Sequence, residues 1–329
     1  MTERDRRIVE FLAEHGWGDD VRRPLAGDAS FRRYERLEAG SRRAVLMDAP
    51  PPEDVRPFVA IARHLIGIGM SAPRIIAEDP PAGLLLLEDF GDDIYTRVLA
   101  GGGDAHRLYG AAVDLLCALQ RHPPPRGVAP YDMAALMAEA ELMTDWYLPA
   151  IEAAAPSSGD RAGYRAAWSA VLPAVAEDFS VLVLRDYHAD NLIWLADRPG
   201  LARVGLLDFQ DALVGAPAYD LVSLLEDARR DVAPDLAEAM IERYLDRSGT
   251  ADRGAFRTAY AILGAQRNAK IIGIFTRLWK RDGKPDYLAL IPRVWRLLTG
   301  DLEHPALAPV RAWFDRVIPP SLRRPPEPS

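Results

Sequence analysis

Leu184-Arg185-Asp186-Tyr187-His188-Ala189-Asp190-Asn191, with Leu206-Leu207-Asp208-Phe209-Gln210-Asp211 after it, is the stretch on which the fold turns. Each leading aspartate follows a short apolar run, Val181 to Leu184 and Val204 to Leu207, which reads as a strand. Asp186 and Asp208 therefore stand at strand ends. Asn191 lies five residues after Asp186, across a tight loop, and Asp208 lies 17 residues beyond Asn191, enough for a returning hairpin. Any one of the three alone reads more simply as a turn cap. The ordered set offers two carboxylates and an amide: hard oxygens for Mg²⁺ and one carboxylate for a base. Phosphoryl transfer needs that set, because its demands are positioning and charge neutralisation.

Outward from this island the chain changes character. Before it, residues 3–15 read as an amphipathic helix with Ile8, Phe11 and Leu12 on one face, stopped by Gly16. Strands are expected at 21–25, 31–37, 43–47, 75–76 and 84–87, and a helix at 53–67. After Gly91, helical patterns dominate: 104–121, 131–154, 160–177, 217–229, 234–247, 252–281 and 285–299. The expected organisation is a small strand-rich lobe over 1–90 and a larger helical lobe over 91–329 that carries the β island.

Composition narrows the function. The 329 residues are 49% hydrophobic and 27% charged, a globular mix. The single cysteine, Cys117, excludes an internal disulfide and a cysteine-built metal site. A formal charge of −8 argues against a nucleic-acid or anionic-membrane binder. No apolar run approaches a membrane span. Glu10 and Glu14 interrupt the run that an export signal needs after Arg6-Arg7, so a cytoplasmic protein is expected.

The motif RDYHADN followed by LLDF resembles the catalytic and metal-binding loops of the protein-kinase-like superfamily, in its aminoglycoside phosphotransferase branch. GDASFRRYERL, VLMDAPP, GLLLLEDFGDD, LLDFQDALVGAPAYDLVSLLEDAR and QRNAKIIGIFTRL are similar to segments of the bacterial kinases that phosphorylate N-acetylmuramate and N-acetylglucosamine on the anomeric hydroxyl. The resemblance implies a bilobal α+β protein-kinase-like fold, with a small antiparallel-sheet N-lobe and a mostly helical C-lobe. It implies ATP and Mg²⁺ as cofactors and a small amino sugar as partner. Asp186 becomes the base, and Asn191 and Asp208 the Mg²⁺ ligands.

Three departures stand out. Leu184 replaces the histidine usual before the catalytic loop, and Gln210 replaces the glycine of protein kinases. Met47 occupies the position of the phosphate-binding lysine in the third strand, and residues 1–90 contain no lysine at all. Arg32, Arg33 and Arg43 are the candidate replacements. Arg32 and Arg33 lie just past the Gly27–Ser30 loop, which reads either as a plain hairpin turn or, through its backbone and Ser30, as a cover for the ATP phosphates. Glu88 and Phe90 mark the hinge whose backbone would pair with adenine. His188 reads as a phosphate contact or a structural residue. Asp220, opening a helix, is expected to bond back to the catalytic loop.

For the acceptor, two helical segments compete. Residues 132–160 contain six acids and no Lys or Arg, and residues 265–296 carry eight Lys or Arg against two acids. Solvated faces account for most such runs. A polycationic aminoglycoside suits the first, and the muramate carboxylate suits a guanidinium from the second. Asp145, Trp146 and Tyr147 are candidate sugar contacts, with core packing as the alternative for Trp146. Gln266, Arg267 and Asn268 form a second candidate set, of which one or two can face a ligand. The rival functions are an aminoglycoside or other small-alcohol phosphotransferase, and a non-catalytic nucleotide-binding pseudokinase acting as an interaction module.

Overall fold

The computed structural model describes residues 2–18, 21–25, 32–151 and 157–327. The Gly27–Ser30 loop lies outside the described residues. Nine strands and thirteen α-helices are described. The strands are β1 Val21–Pro24, β2 Arg33–Ala39, β3 Arg42–Asp48, β4 Ile75–Asp79, β5 Leu84–Glu88, β6 Val181–Val183, β7 Leu192–Trp194, β8 Val204–Leu206 and β9 Leu213–Gly215. The helices are α1 Glu3–Glu14, α2 Arg56–Gly67, α3 Tyr95–Ala100, α4 Ala105–Leu119, α5 Met133–Ala140, α6 Leu148–Ile151, α7 Ser158–Val171, α8 Pro173–Ala176, α9 Ala218–Leu225, α10 Pro234–Ser248, α11 Arg253–Asp282, α12 Ile291–Asp301 and α13 Ala308–Val317.

The first compact unit comprises residues 1–111 and 190–212. Its antiparallel sheet has the order β1-β2-β3-β5-β4. Alternation along the strands sends Leu37, Ala44, Leu46, Leu84 and Leu86 to one face, where they pack with Ile8, Phe11 and Leu12 of α1 and with Trp17. A reciprocal Thr2–Asp5 capping box starts α1. The β7–β8 hairpin belongs to this unit because its edges are bonded to it. Leu206 donates to the Ser71 carbonyl (2.8 Å), and Trp194 donates to the Asp93 carbonyl (2.8 Å). The compact units therefore divide at residue 111 rather than at the expected residue 90, and the hairpin counts with the sheet.

The second unit comprises residues 112–189 and 213–329. Asp252 caps the N-terminus of α11, a 30-residue helix that Gly283 ends in the left-handed region (φ 65°). Around α11 pack α5, α9 and α12. Three expected helices are broken, the 160–177 run at Pro173, where α8 follows α7. Pro149 cannot donate to residue 145, and the 131–154 run splits into α5, a π-helical turn Met143–Tyr147, and α6. Pro292 likewise confines α12 to its own side, with a 3₁₀ turn Pro285–Leu290 before it. The short α3 and the C-terminal α13 are helices that the periodicity did not reveal. Among the described residues, no helix is long and apolar enough to cross a membrane.

Candidate active site

Residues 184–189 of the catalytic-loop segment lie in the second unit. β6 pairs with β9 and delivers the chain to Leu184. There Asp220, at the start of α9, accepts hydrogen bonds from the Leu184 and Arg185 amides at 2.7 and 2.8 Å, which fulfils its expected structural role. Burial pushes the Asp220 carboxyl up to about 7, against the lowering effect of those two donors. Arg185 sits in the left-handed region (φ 70°), an uncommon conformation for a residue with a Cβ. Three further contacts hold it there. Its carbonyl accepts from Ser223 Oγ (3.0 Å), which in turn accepts from Arg267 Nη2 (2.9 Å). Its guanidinium pairs with Glu139 and lies 5.6 Å from the centre of the Tyr131 ring. On the other side of Asp186, the Tyr187 hydroxyl donates to the Ala112 carbonyl (2.7 Å). The half-buried Asp186 is thus framed by two anchored neighbours.

Asp220→Asn keeps one acceptor oxygen and loses the other, leaving a buried amide of the loop unbonded. It is expected to lower the stability of the fold by about 1–3 kcal/mol, read from denaturant melts at neutral pH.

The metal-binding candidates lie in the first unit. Leu192 of β7 pairs with Leu206 of β8, and Leu207 N–H donates to the Asn191 carbonyl (3.0 Å), so Asn191 and Asp208 stand at the same end of one hairpin. Asp208 also adopts a left-handed backbone (φ 56°). Its successor Phe209 is fully buried and stacks on Phe58 of α2, with ring centres 4.8 Å apart, which fixes the turn. One carboxylate and one amide oxygen at a hairpin end fit Mg²⁺, which binds through few protein oxygens and keeps the rest for water and phosphate.

In the same unit Arg32 is separated from its two rivals. Its side chain is 12% exposed and meets Glu53 (3.0 Å), Asp208 Oδ1 (3.4 Å) and Asp211 (3.9 Å). Arg33 and Arg43 are 66% and 60% exposed and pair with Asp48 and Glu38. Of the three candidate arginines, Arg32, which immediately precedes β2, is the one that meets Asp208. Met47 is buried, on the face of β3 opposite Ala44 and Leu46. Glu53 gave no sequence signal, being one acid before a helix start. Arg36 was also missed: it pairs with Asp89 (2.8 Å) and Asp92 (2.9 Å) and donates to the Gly91 carbonyl (3.2 Å), bracing the hinge. Only its place in β2 hinted at a role. The Glu88 amide is committed to the Arg74 carbonyl (2.9 Å), and its carboxylate to Arg74 and Arg198. The Phe90 amide has no partner among the described residues. The Phe90 ring packs on Gly205, where any Cβ would stand 2.9 Å from it.

Several expected contacts are corrected. His188 is buried, with Arg229 at 3.5 Å, and burial first of all holds its imidazole below the ordinary range. Tyr147 is fully buried, its hydroxyl donating to the Leu322 and Arg324 carbonyls. Asp145 is exposed and paired with Arg161, and Trp146 beside it is half-buried. Gln266, Arg267 and Asn268 are all buried. Gln266 donates to the Leu136 carbonyl (2.9 Å), and Asn268 bridges Glu226 (2.7 Å) and Asp301 (2.9 Å). Arg267, through Ser223, positions the catalytic loop. Helix packing puts these three inside because α11 is surrounded along most of its length.

Residues 21–257 match the model of the phosphotransferase enzyme family, and the chain belongs to that family; it is a phosphotransferase. It is 41% identical to an N-acetylmuramate/N-acetylglucosamine kinase of Caulobacter vibrioides, over 98% of this chain and 99% of the relative. A protein of the same name from Pseudomonas aeruginosa is 38% identical, over 92% and 91%. Among solved structures, choline kinase LicA from Streptococcus pneumoniae aligns at TM-score 0.63 with 12% identity, covering 92% of this chain and 100% of that one. The ADP-bound aminoglycoside phosphotransferase APH(2'')-Ib aligns at 0.61 with 15% identity, covering 89% and 97%. The architecture is the bilobal α+β fold of kinase-like phosphotransferases.

Proposed function

We propose that this phosphotransferase moves the γ-phosphoryl group of ATP to the anomeric hydroxyl of N-acetylmuramate or N-acetylglucosamine. The observation that carries the reading is the 41% identity, over nearly the whole of both chains, to a kinase named for those two sugars. Asp186 takes the hydroxyl proton as the sugar oxygen bonds to phosphorus and the bond to ADP breaks. Asn191 and Asp208 would hold Mg²⁺, which supplies charge neutralisation at the phosphates.

The electrostatics of the second unit count against a polycationic aminoglycoside. Four of the six acids in the run that such a substrate would need are paired with cations of the same chain. Glu139 serves Arg185 and Lys270, Glu141 serves Arg165, Asp145 serves Arg161, and Asp160 serves Arg316. Burial alone would raise the Glu139 carboxyl, but Lys270 and Arg185 hold it below the ordinary range. A panel of amino sugars and aminoglycosides with ATP tests the reading. Turnover is expected with the two sugars, giving an acid-labile anomeric phosphate. An acid-stable phosphate, or turnover only with aminoglycosides, would sink it.

Within this reading Arg32 supplies the cation that Met47 cannot, with Glu53 as its anchor. Arg32→Ala is expected to raise KM for ATP about tenfold or more, while Arg33→Ala and Arg43→Ala change it little. Equal behaviour of all three variants would remove Arg32 from the nucleotide site.

A further inference from the structure

The segment Gln266–Leu278 of α11 holds six polar side chains. Five are bonded internally: Gln266, Arg267 and Asn268 as described, Lys270 by Glu139 (2.9 Å), and Thr276 by the Ile272 carbonyl (2.9 Å). Arg277 differs. Among the described residues its guanidinium makes no hydrogen bond or ion pair, although it is half-buried and its Nε is fully covered. Burial and then Arg281 depress its basicity, and the nearby Asp282 is already bidentate on Arg281 (2.7 and 2.9 Å). A guanidinium taken part-way out of water without an acid is unfavourable until an anion bonds to it.

Its place on the helix says where such an anion would sit. Arg277 is seven residues from Lys270, two turns along the same face and about 10 Å away. Lys270 Nζ shares Glu139 Oε1 with the guanidinium of Arg185, the residue before the base. One face of α11 therefore runs from the network that fixes the base loop to an unbonded guanidinium, all within the second unit. N-acetylmuramate differs from N-acetylglucosamine by a lactyl carboxylate on carbon 3, away from the reacting hydroxyl.

We propose that Arg277 receives that carboxylate and is the residue by which the protein distinguishes the two sugars. The inference rests on the amino-sugar reading above. Arginine suits the task because its planar fork binds a carboxylate bidentately.

The test measures kcat and KM for N-acetylmuramate, its methyl ester and N-acetylglucosamine, with wild type, Arg277→Met and Arg277→Lys. In the methionine variant, the ratio of kcat/KM for N-acetylmuramate to that for N-acetylglucosamine is expected to fall about tenfold or more, through KM. Lysine, keeping the charge without the fork, gives an intermediate ratio. In wild type the ester behaves as the acid does in Arg277→Met. A ratio unchanged by both variants, or acid and ester used equally by wild type, overturns the proposal while leaving the sugar-kinase reading intact. If Arg277→Met does not fold, as read by its thermal melt, Arg277→Lys and the ester comparison answer the same question. If wild type phosphorylates neither sugar, it is the reading that fails. Calorimetric titration with N-acetylmuramate then decides for Arg277 separately: weaker binding by the lysine variant supports the site, and equal binding overturns it.

Discussion

Replacing Asp208 by alanine is expected to abolish Mg²⁺-dependent nucleotide binding and turnover together, with a fall in kcat/KM of about 10³ or more. The carboxylate is 30% exposed at the end of the β7–β8 hairpin, and its protein contacts include Arg32 and the Gln210 amide (3.0 Å). Removing it takes away the one formal negative charge that Asn191 and Asp208 together offer a cation, and an amide alone holds Mg²⁺ poorly. The turn itself survives, because Phe209 remains stacked on Phe58. Asp208→Asn is the control for backbone strain: asparagine tolerates the left-handed φ of 56° but carries no charge, so it should fail nearly as badly as alanine. Nucleotide fluorescence titrated with Mg²⁺, beside a turnover assay, reads both effects. Binding of Mg-ATP as tight as wild type would show that the metal is held elsewhere.

Asp186→Asn should leave nucleotide affinity close to wild type while kcat drops about 10²–10⁴-fold. The substitution keeps the shape of the side chain and removes the proton acceptor. The loop is also held by contacts on both sides of Asp186. Asp220, Ser223 and Glu139 hold Arg185 on one side, and the Ala112 carbonyl holds Tyr187 on the other. The melting temperature should therefore change little, which separates a lost base from a collapsed loop. Turnover near the wild-type rate would remove Asp186 from the mechanism.

The same contacts show which features were written locally. Strand alternation over Arg33–Ala39, Arg42–Asp48 and Leu84–Glu88, the Thr2 and Asp252 caps, and the glycines after α1 and α11 are properties of neighbouring residues. Periodicity and turn chemistry report them directly. Asp186, Asn191 and Asp208 were legible for the same reason: each follows or precedes a short apolar strand at close spacing, and the motif keeps its order. Asp220 could be foreseen as a brace because it opens a helix shortly after the metal loop.

Long-range packing decided the rest. QRN in α11 reads as a ligand-binding triplet on paper, yet it is buried because α5, α9 and α12 surround that helix, and no window of 13 residues contains those neighbours. Tyr147 turned inward because its hydroxyl finds two carbonyls some 175 positions away. That Arg32, and not Arg33 or Arg43, meets Glu53 and Asp208 depends on partners 21 and 176 residues distant. A single chain states which residues carry charge and how they alternate. Which of those charges is answered by another, and which, like Arg277, is not answered among the described residues, is settled only when segments far apart in sequence are brought together.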